Sequence, residues 1–278
     1  PMFSLWGLKE DNDAVRGEGC FDMVMQKMDM LREAGVFFGA SITATSKSCD
    51  EVTSDEFMKM LSDKGCLWSW FFHYVPVGDS PDVSLVPNAK QRQQILKAVY
   101  NARNTLPMMT VDFWGDGPEM MGCIAGGRQY VHVNPNGDVE PCTFVHLATH
   151  NVKNCTLTEA LAAPFMKAIR DGIPYEDGNM LRPCMIVDRP DVLRKYYQEF
   201  KPYETHENAA AYLTDPKITS EIDKYSEEVK EILDEDWRNN LWMTIFPLEG
   251  EYYVDRDNFC SREKPIHKCS GHCAGCGK

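Results

Sequence analysis

Apolar positions in the first hundred residues recur with two alternating periods. Short, nearly continuous apolar runs are typical of buried strands, and between them apolar side chains return every three or four residues, as on one face of a helix. This alternation predicts parallel βαβ units that form half a barrel with one open sheet edge. The predicted strands are residues 2–6, 36–44 and 67–75, and the predicted helices lie within residues 21–35, 53–65 and 91–103.

Two helix starts are predicted from capping residues. Thr53 and Glu56 have the spacing of a capping box in front of the second predicted helix. Further along, Asp188 is predicted to cap a helix that runs towards residue 200, because Pro190 then falls in the first turn.

Residues 107–200 differ from the first part of the chain because glycine, proline and cysteine are dense there. Residues 129–133 alternate between apolar and polar, and the Asn-Pro-Asn-Gly sequence at 134–137 predicts a turn. The chain then returns to Cys142, so this segment is predicted to form a β-hairpin. Further helices are predicted over residues 157–170 and from residue 214.

The composition limits the classes of partner and of compartment. The 278 residues can hold one large or two modest domains, and the net charge of −13 argues against a nucleic-acid or membrane partner. Without a signal peptide or an apolar run long enough to cross a bilayer, a cytoplasmic location is expected. Because disulfides are rare in that reducing compartment, eleven cysteines favour metal binding over disulfide pairing.

Three cysteines lie in Gly- or Pro-rich loops. Thirteen residues separate Cys123 from Gly137 and four more precede Cys142, so the hairpin would bring two thiolates together, with Cys184 arriving from further along. Converging thiolates suit an iron–sulfur cluster, and a zinc ion held by the same thiolates is the open alternative. Cys155 is interpreted as structural. A fourth ligand is not evident.

The chain resembles radical S-adenosylmethionine (SAM) proteins that carry a C-terminal SPASM or "twitch" auxiliary-cluster domain. The three cysteines above match the auxiliary-cluster part, and segments of the earlier region match in order and spacing. These segments are residues 4–7, 15–19, 38–43, 70–78 and 112–117. The resemblance covers the C-terminal two-thirds of such proteins, and the cluster-binding loop that precedes their barrel is absent, so the chain is interpreted as a fragment.

The resemblance implies an α/β fold with three parts. Residues 1–106 would form half of a partial TIM-type (βα) barrel, residues 107–200 a small α+β auxiliary-cluster domain, and residues 201–278 a helical tail. The parent enzyme would cleave SAM to a 5′-deoxyadenosyl radical that abstracts a substrate hydrogen. It implies a 4Fe–4S cluster on Cys123, Cys142 and Cys184.

The resemblance also implies partners, which are a small-molecule or peptide substrate and an electron donor such as a flavodoxin or ferredoxin. Two other classes of function stay open. The chain could be a non-catalytic iron–sulfur or zinc module for electron transfer, or a truncated remnant with no function of its own.

Polar residues near strand ends are candidates for contact with SAM or substrate, since barrels place their sites at the carboxyl ends of the strands. The resemblance implies Ser4, Arg16 and Thr43 as SAM contacts, although a turn-capping serine and a solvated arginine are the alternatives. His73 and Tyr74 end the third strand and are candidate substrate contacts. For His73 a purely structural role is the alternative.

The final segment contains Cys269, Cys273 and Cys276, whose Cys-x3-Cys-x2-Cys spacing matches the catalytic loop of radical SAM proteins. Its position at the end of the chain differs from that loop. The sequence leaves three interpretations open: a separate metal site, a disordered tail and a displaced SAM cluster.

Overall fold

The computed structural model describes residues 1–78 and 81–239. The first half of the protein is built on a parallel sheet in which the spatial order of the strands follows the chain. The strands are β1 (Met2–Leu5), β2 (Gly39–Ala44), β3 (Trp68–His73) and β4 (Met109–Asp112). The three predicted strands and the α/β class are confirmed. The sheet also continues past the predicted boundary at residue 106, because β4 begins at Met109.

Helices cover one face of this sheet. They are α1 (Lys9–Arg16), α2 (Cys20–Glu33), α3 (Cys49–Val52), α4 (Asp55–Asp63) and α5 (Ala89–Thr105), with a 3-10 turn at Val83–Leu85 before α5. Ile42 and Phe71 of the sheet are fully buried against apolar side chains of these helices, among them Met28, Leu61 and Ile95. Burial of this apolar area drives the folding of the first half.

The opposite face of the sheet carries side chains that are exposed or half-buried. We call it the open face, and it is formed by Ser4, Ser41, Thr43, Trp70, Phe72 and Val111. The apolar run at 67–75 predicted a buried strand, and β3 is fully buried on only one of its two faces. Alternate residues of β3, including Trp70 and Phe72, point to the open face, so the run combines a covered face with an aromatic one.

The second half contains short strands and mostly short helices. They are α6 (Gly117–Met120), β5 (His132–Val133), β6 (Val139–Glu140), β7 (Leu147–Ala148), α7 (Leu157–Ala162), α8 (Pro164–Asp171), α9 (Pro190–Phe200), β8 (Tyr203–Glu204), α10 (Ala211–Thr214) and α11 (Pro216–Arg238). The predicted hairpin is confirmed by the antiparallel pairing of β5 with β6, and β7 pairs with β8.

Two predicted helix starts are wrong in detail. Ser54, not Thr53, caps α4, because its side chain accepts the N–H of Phe57 at 3.1 Å, while Thr53 Oγ1 donates back to the carbonyl of Cys49. Asp188 does not cap α9, which begins after Arg189 without a side-chain cap. The carboxylate of Asp188 is instead committed to the Cys184 loop and to α5, as described below.

The helix predicted over residues 157–170 is two helices. Ala163 adopts an extended conformation between α7 and α8, because the residue before a proline is disfavoured in the helical region and Pro164 follows it. Pro164 then occupies the first turn of α8, where its missing N–H costs nothing. In the described ranges we find no helix with the length and apolar character of a bilayer-spanning segment.

Candidate functional site

The turn after α6 positions Cys123. Met121 and Gly122 have φ angles of 56° and 96°, so two successive left-handed residues reverse the chain before the cysteine. The guanidinium of Arg128 then closes the loop, donating to the carbonyl of Cys123 at 2.8 Å and to that of Met120 at 2.5 Å.

Gly126 and Gly127 follow Cys123 in a glycine-rich loop. Their surroundings explain why both positions are glycine. Each has a positive φ, and a Cβ atom would lie 2.6 Å from Ile169 at Gly126 and 2.4 Å from Leu161 at Gly127. These glycines therefore let the Cys123 loop pack closely on α7 and α8.

Cys142 follows β6 and begins a tight turn closed by a bridge to Val145. The backbone N–H of Phe144 donates to Cys142 Sγ at 3.4 Å, and the hydroxyl of Tyr130 accepts the N–H of Thr143 at 3.1 Å. The turn thus directs a backbone donor at the sulfur.

Cys184 begins a turn that is fastened by Asp188. The Asp188 carboxylate accepts the Cys184 N–H at 3.0 Å, and the Cys184 carbonyl accepts the N–H groups of Asp188 and Arg189 at 2.9 and 3.0 Å. Asp188 is 1% exposed and also pairs with Arg92 of α5, whose N–O distance is 2.5 Å. This buried pair joins the Cys184 loop to the helices that cover the sheet.

The three thiols pack against one hydrophobic core while each keeps a partly exposed side chain. Burial raises the pKa of all three thiols. The charge of Cys123 adds to this effect at Cys142 and Cys184, and the pKa of Cys142 reaches about 12. Backbone N–H groups oppose this effect by lowering the pKa of each thiol. These donors belong to Ala125 for Cys123, to Phe144 and Val145 for Cys142, and to Ile186 and Val187 for Cys184.

Other cysteines in the described chain make the opposite kind of contact. The thiols of Cys49, Cys66 and Cys155 donate to backbone carbonyl groups, at 3.8, 3.0 and 3.4 Å respectively. Cys49 and Cys66 are buried in the core beneath the sheet, where free cysteine acts as a small apolar residue. A donating thiol is protonated, whereas a sulfur that receives N–H groups is suited to the thiolate form. Cys66 combines both, because the N–H groups of Trp68 and Ala40 also lower the pKa of its thiol.

The described residues bear on the choice between a single ion and a cluster. Within residues 1–78 and 81–239, no three His, Cys, Asp or Glu side chains are arranged to hold one metal ion. A zinc ion would therefore require the three loops to move together. An iron–sulfur cluster presents a separate iron to each thiolate, so its ligands lie farther apart. The hydroxyl of Tyr212, buried near Cys142 and Cys184, has no hydrogen-bond partner in the described chain, as expected beside a site for a further polar group.

Two of the three candidate SAM contacts share the open face of the sheet. Ser4 of β1 and Thr43 of β2 lie on the open face, where Ser4 is in register with Ser41 and Thr43 with Phe72. Arg16 is the last residue of α1 and is exposed, so it belongs to a helix and not to the loop that the sequence suggested.

The two candidate substrate contacts also differ in their surroundings. His73 is 3% exposed and lies on the helix-covered face, where its Nε2 is 3.0 Å from Asp112 Oδ1 and its ring stacks on Trp114. Burial would raise the pKa of Asp112, but the charge of His73 and backbone N–H groups outweigh it and lower this pKa. Tyr74 is half-buried, and its hydroxyl accepts the N–H of Asp82 at 3.5 Å.

Aromatic side chains connect the open face to the Cys142 turn, a feature that the sequence analysis missed. Phe72 stacks on Phe113 with a centroid distance of 4.4 Å, and Trp70 packs edge-on against Phe113 at 5.7 Å. Phe144, whose N–H donates to Cys142, contacts the rings of Phe72 and Trp114 at 6.4 and 6.2 Å. The period-2 position of Trp70 and Phe72 in β3 was the available signal for this surface.

The remaining predicted ligands, Cys269, Cys273 and Cys276, lie outside the described residues.

Comparisons with known proteins find relatives among radical SAM enzymes. No family model matches the chain. It is 25% identical over 174 residues, 53% of its length and 47% of the relative's, to the AdoMet-dependent heme synthase of Nitratidesulfovibrio vulgaris. It is 31% identical over 145 residues, 49% of its length and 36% of the relative's, to the mycofactocin maturase MftC of Mycolicibacterium smegmatis. The resemblance to radical SAM proteins is confirmed.

A solved structure extends the radical SAM likeness to the fold. Native anSMEcpe with bound AdoMet and the Cp18Cys peptide superposes on 80% of this chain and 69% of its own, with a TM-score of 0.51 and 13% identity. The α/β fold with a parallel sheet is thus shared with that protein. The chain spans less than half the length of the two curated relatives.

Proposed function

We propose that this chain is part of a radical SAM enzyme and that Cys123, Cys142 and Cys184 hold an auxiliary iron–sulfur cluster. The observation that carries the proposal is the shared environment of the three sulfurs. Each cysteine is partly exposed, backbone N–H groups lower the pKa of each thiol, and all three residues pack on one core. Hydrogen bonds to the sulfurs are one means by which proteins set the reduction potential of such clusters.

The open face of the sheet is the proposed surface for AdoMet and substrate. Ser4 and Thr43 would hold polar groups of AdoMet, while Trp70, Phe72 and Phe113 would bind an apolar part of the substrate. Bound AdoMet supplies a 5′-deoxyadenosyl radical that abstracts a substrate hydrogen. The surrounding side chains orient the substrate and exclude water from the reacting centre.

A peptide or a small molecule is the proposed substrate class, and a flavodoxin- or ferredoxin-like protein is the proposed electron donor. The peptide is supported by the peptide bound in anSMEcpe.

We place the half-barrel in residues 1–106 together with β4, the cluster domain in the following residues to 200, and the helical tail after it. Arg16 and Tyr74 are proposed as contacts at the rim of the site, and His73 as a structural residue beneath it. The terminal cysteines are proposed as a separate metal site.

Iron uptake tests the ligand assignment. After anaerobic reconstitution, replacement of Cys123, Cys142 and Cys184 by alanine should abolish binding of iron and sulfide and the visible absorbance of the cluster. A Cys20→Ala/Cys155→Ala variant is the matched control and should retain both, since these half-buried thiols are not proposed ligands. A chain ending at residue 259 lacks the terminal cysteines and should keep the same cluster spectrum.

Three results would contradict the proposal. Equal iron content in the triple variant and the control would remove the three cysteines as ligands. Loss of the spectrum on truncation would assign the fourth ligand to the terminal segment. One equivalent of zinc in place of iron would favour the second candidate function, a non-catalytic metal module. Release of 5′-deoxyadenosine is expected only when the full-length enzyme supplies the catalytic cluster loop.

A further inference from the structure

Tyr212 of α10 has a buried hydroxyl that the fold leaves without a hydrogen bond. The residue is 2% exposed, and its hydroxyl oxygen is out of contact with solvent and has no partner among the described residues. A buried donor of this kind is unfavourable unless a group absent from the polypeptide accepts its hydrogen bond.

Four groups near this hydroxyl are able to accept a hydrogen bond, and none of them does. The charges of Cys142 and Cys184, followed by those of Glu140 and Glu204, add to burial in raising the pKa of Tyr212. Both glutamates bond to other groups. Glu140 bonds to His132, Asn134 and Thr205, and Glu204 accepts the backbone N–H of Ala210.

The two cysteines are therefore the relevant neighbours. The charges of both thiols raise the pKa of Tyr212, yet its hydroxyl makes a hydrogen bond to neither sulfur. Tyr175 provides a contrast. The charges of Cys123 and Cys184 raise its pKa too, but its hydroxyl donates to the carbonyl of Pro183 at 3.3 Å. Of the two tyrosines, only Tyr212 keeps a free donor.

We propose that the Tyr212 hydroxyl donates a hydrogen bond to the iron–sulfur cluster held by Cys142 and Cys184 and thereby raises its reduction potential. The inference rests on the proposed function. A donor beside the cluster stabilises the more negative, reduced form more than the oxidised form, so removal of the donor favours the oxidised form. Tyr212 is thus a positioning and tuning residue and not a cluster ligand.

Tyr212→Phe tests the inference, with Tyr175→Phe as the matched control. In the reconstituted full chain, Tyr212→Phe should bind the same amount of iron and shift the cluster's midpoint potential to a more negative value. Tyr175→Phe should leave the potential near that of the wild type, because its hydroxyl is already committed to Pro183.

The thermal stability of the iron-free chain provides a second readout, in which the two variants should differ in direction. Without the cluster, Tyr212→Phe removes an unsatisfied donor and should raise or preserve the thermal unfolding midpoint, whereas Tyr175→Phe removes a made hydrogen bond and should lower it. An unchanged potential in Tyr212→Phe, or a loss of iron-free stability as large as that of Tyr175→Phe, would overturn the inference alone. Failure of the wild-type chain to take up iron would overturn the proposed function as well.

Discussion

The sheet half of the chain and the cysteine half are held together in different ways. Beneath the sheet, the core is apolar, and its cysteines, Cys49 and Cys66, are buried thiols that donate to carbonyl groups. The cysteine half has strands of two residues each. Its buried charged residues are Asp138, Glu140, Arg182, Asp188 and Asp236, and the sheet half also buries Arg92 and Asp112.

This difference explains where a bound group would matter for folding. The strands and helices of the sheet half bury a large apolar area, and this burial stabilises it. Short strands give little hydrogen-bonding support, so the cysteine half depends on specific polar contacts and on any group that its thiolates bind. Cluster binding and folding of this half should therefore be coupled.

The largest expected effect comes from breaking the buried pair between the two halves. Arg92→Ala leaves Asp188 charged and buried without its partner, and should lower the free energy of unfolding by about 3–5 kcal/mol. Denaturant unfolding measures the loss. Arg194→Ala is the control, because its pair with Asp223 is partly exposed and should contribute about 1 kcal/mol or less. Equal losses in the two variants would mean that the buried pair does not couple the halves.

A matched pair of fully buried leucines separates the two cores. Leu61→Ala in the sheet half and Leu193→Ala in the cysteine half should each cost about 2–5 kcal/mol in the iron-free chain, because each leaves a cavity. Leu193 lies in the core on which the three thiols pack, so its variant should also bind iron less tightly, whereas Leu61→Ala should not. The check is iron retention during chelator titration. Equal weakening in both variants would show one cooperative unit.

The difference between the two halves also determines which elements could be predicted from the sequence. β1, β2 and β3 were predictable because each lies in a short, mostly apolar segment. β4 was missed because only four residues follow Pro107 and Met108 before the glycine-rich turn. α1 was missed because its sequence, Lys-Glu-Asp-Asn-Asp-Ala-Val-Arg, is almost entirely polar.

For the candidate site, the sequence supplied the proposed ligands and not their surroundings. Cys123, Cys142 and Cys184 were chosen from their loops and from a family resemblance, and the structure packs all three on one core. The role of Asp188 was misassigned because a side chain before a helix is equally able to cap it or to bond elsewhere. The choice was decided by Arg92, 96 residues away in sequence, and no local pattern reports such a contact.

The smallest expected effect is a pH dependence at the junction of the halves. Glu119 of α6 lies beside Arg103 and Asp116, and burial followed by the Asp116 charge raises its pKa from 4.5 to about 7. The folded chain then binds more protons than the unfolded chain between these values, so this residue's contribution to stability falls as the pH rises through that window. Glu119→Gln removes the dependence and should stabilise the protein more at pH 8 than at pH 5.

The gain at pH 8 should be below about 1 kcal/mol, because the Glu119 side chain is 40% exposed and water screens its charge. Glu159→Gln is the control with the opposite sign. Hydrogen bonds from the backbone N–H and then the hydroxyl of Thr156 lower the pKa of Glu159, so its charge supports α7 at high pH and its loss should not stabilise the protein there. Thermal unfolding of both variants at the two pH values decides the matter. A stability gain for Glu119→Gln that is equal at pH 5 and pH 8 would contradict this expectation. It would mean that neither burial nor the neighbouring charges destabilise the Glu119 carboxylate.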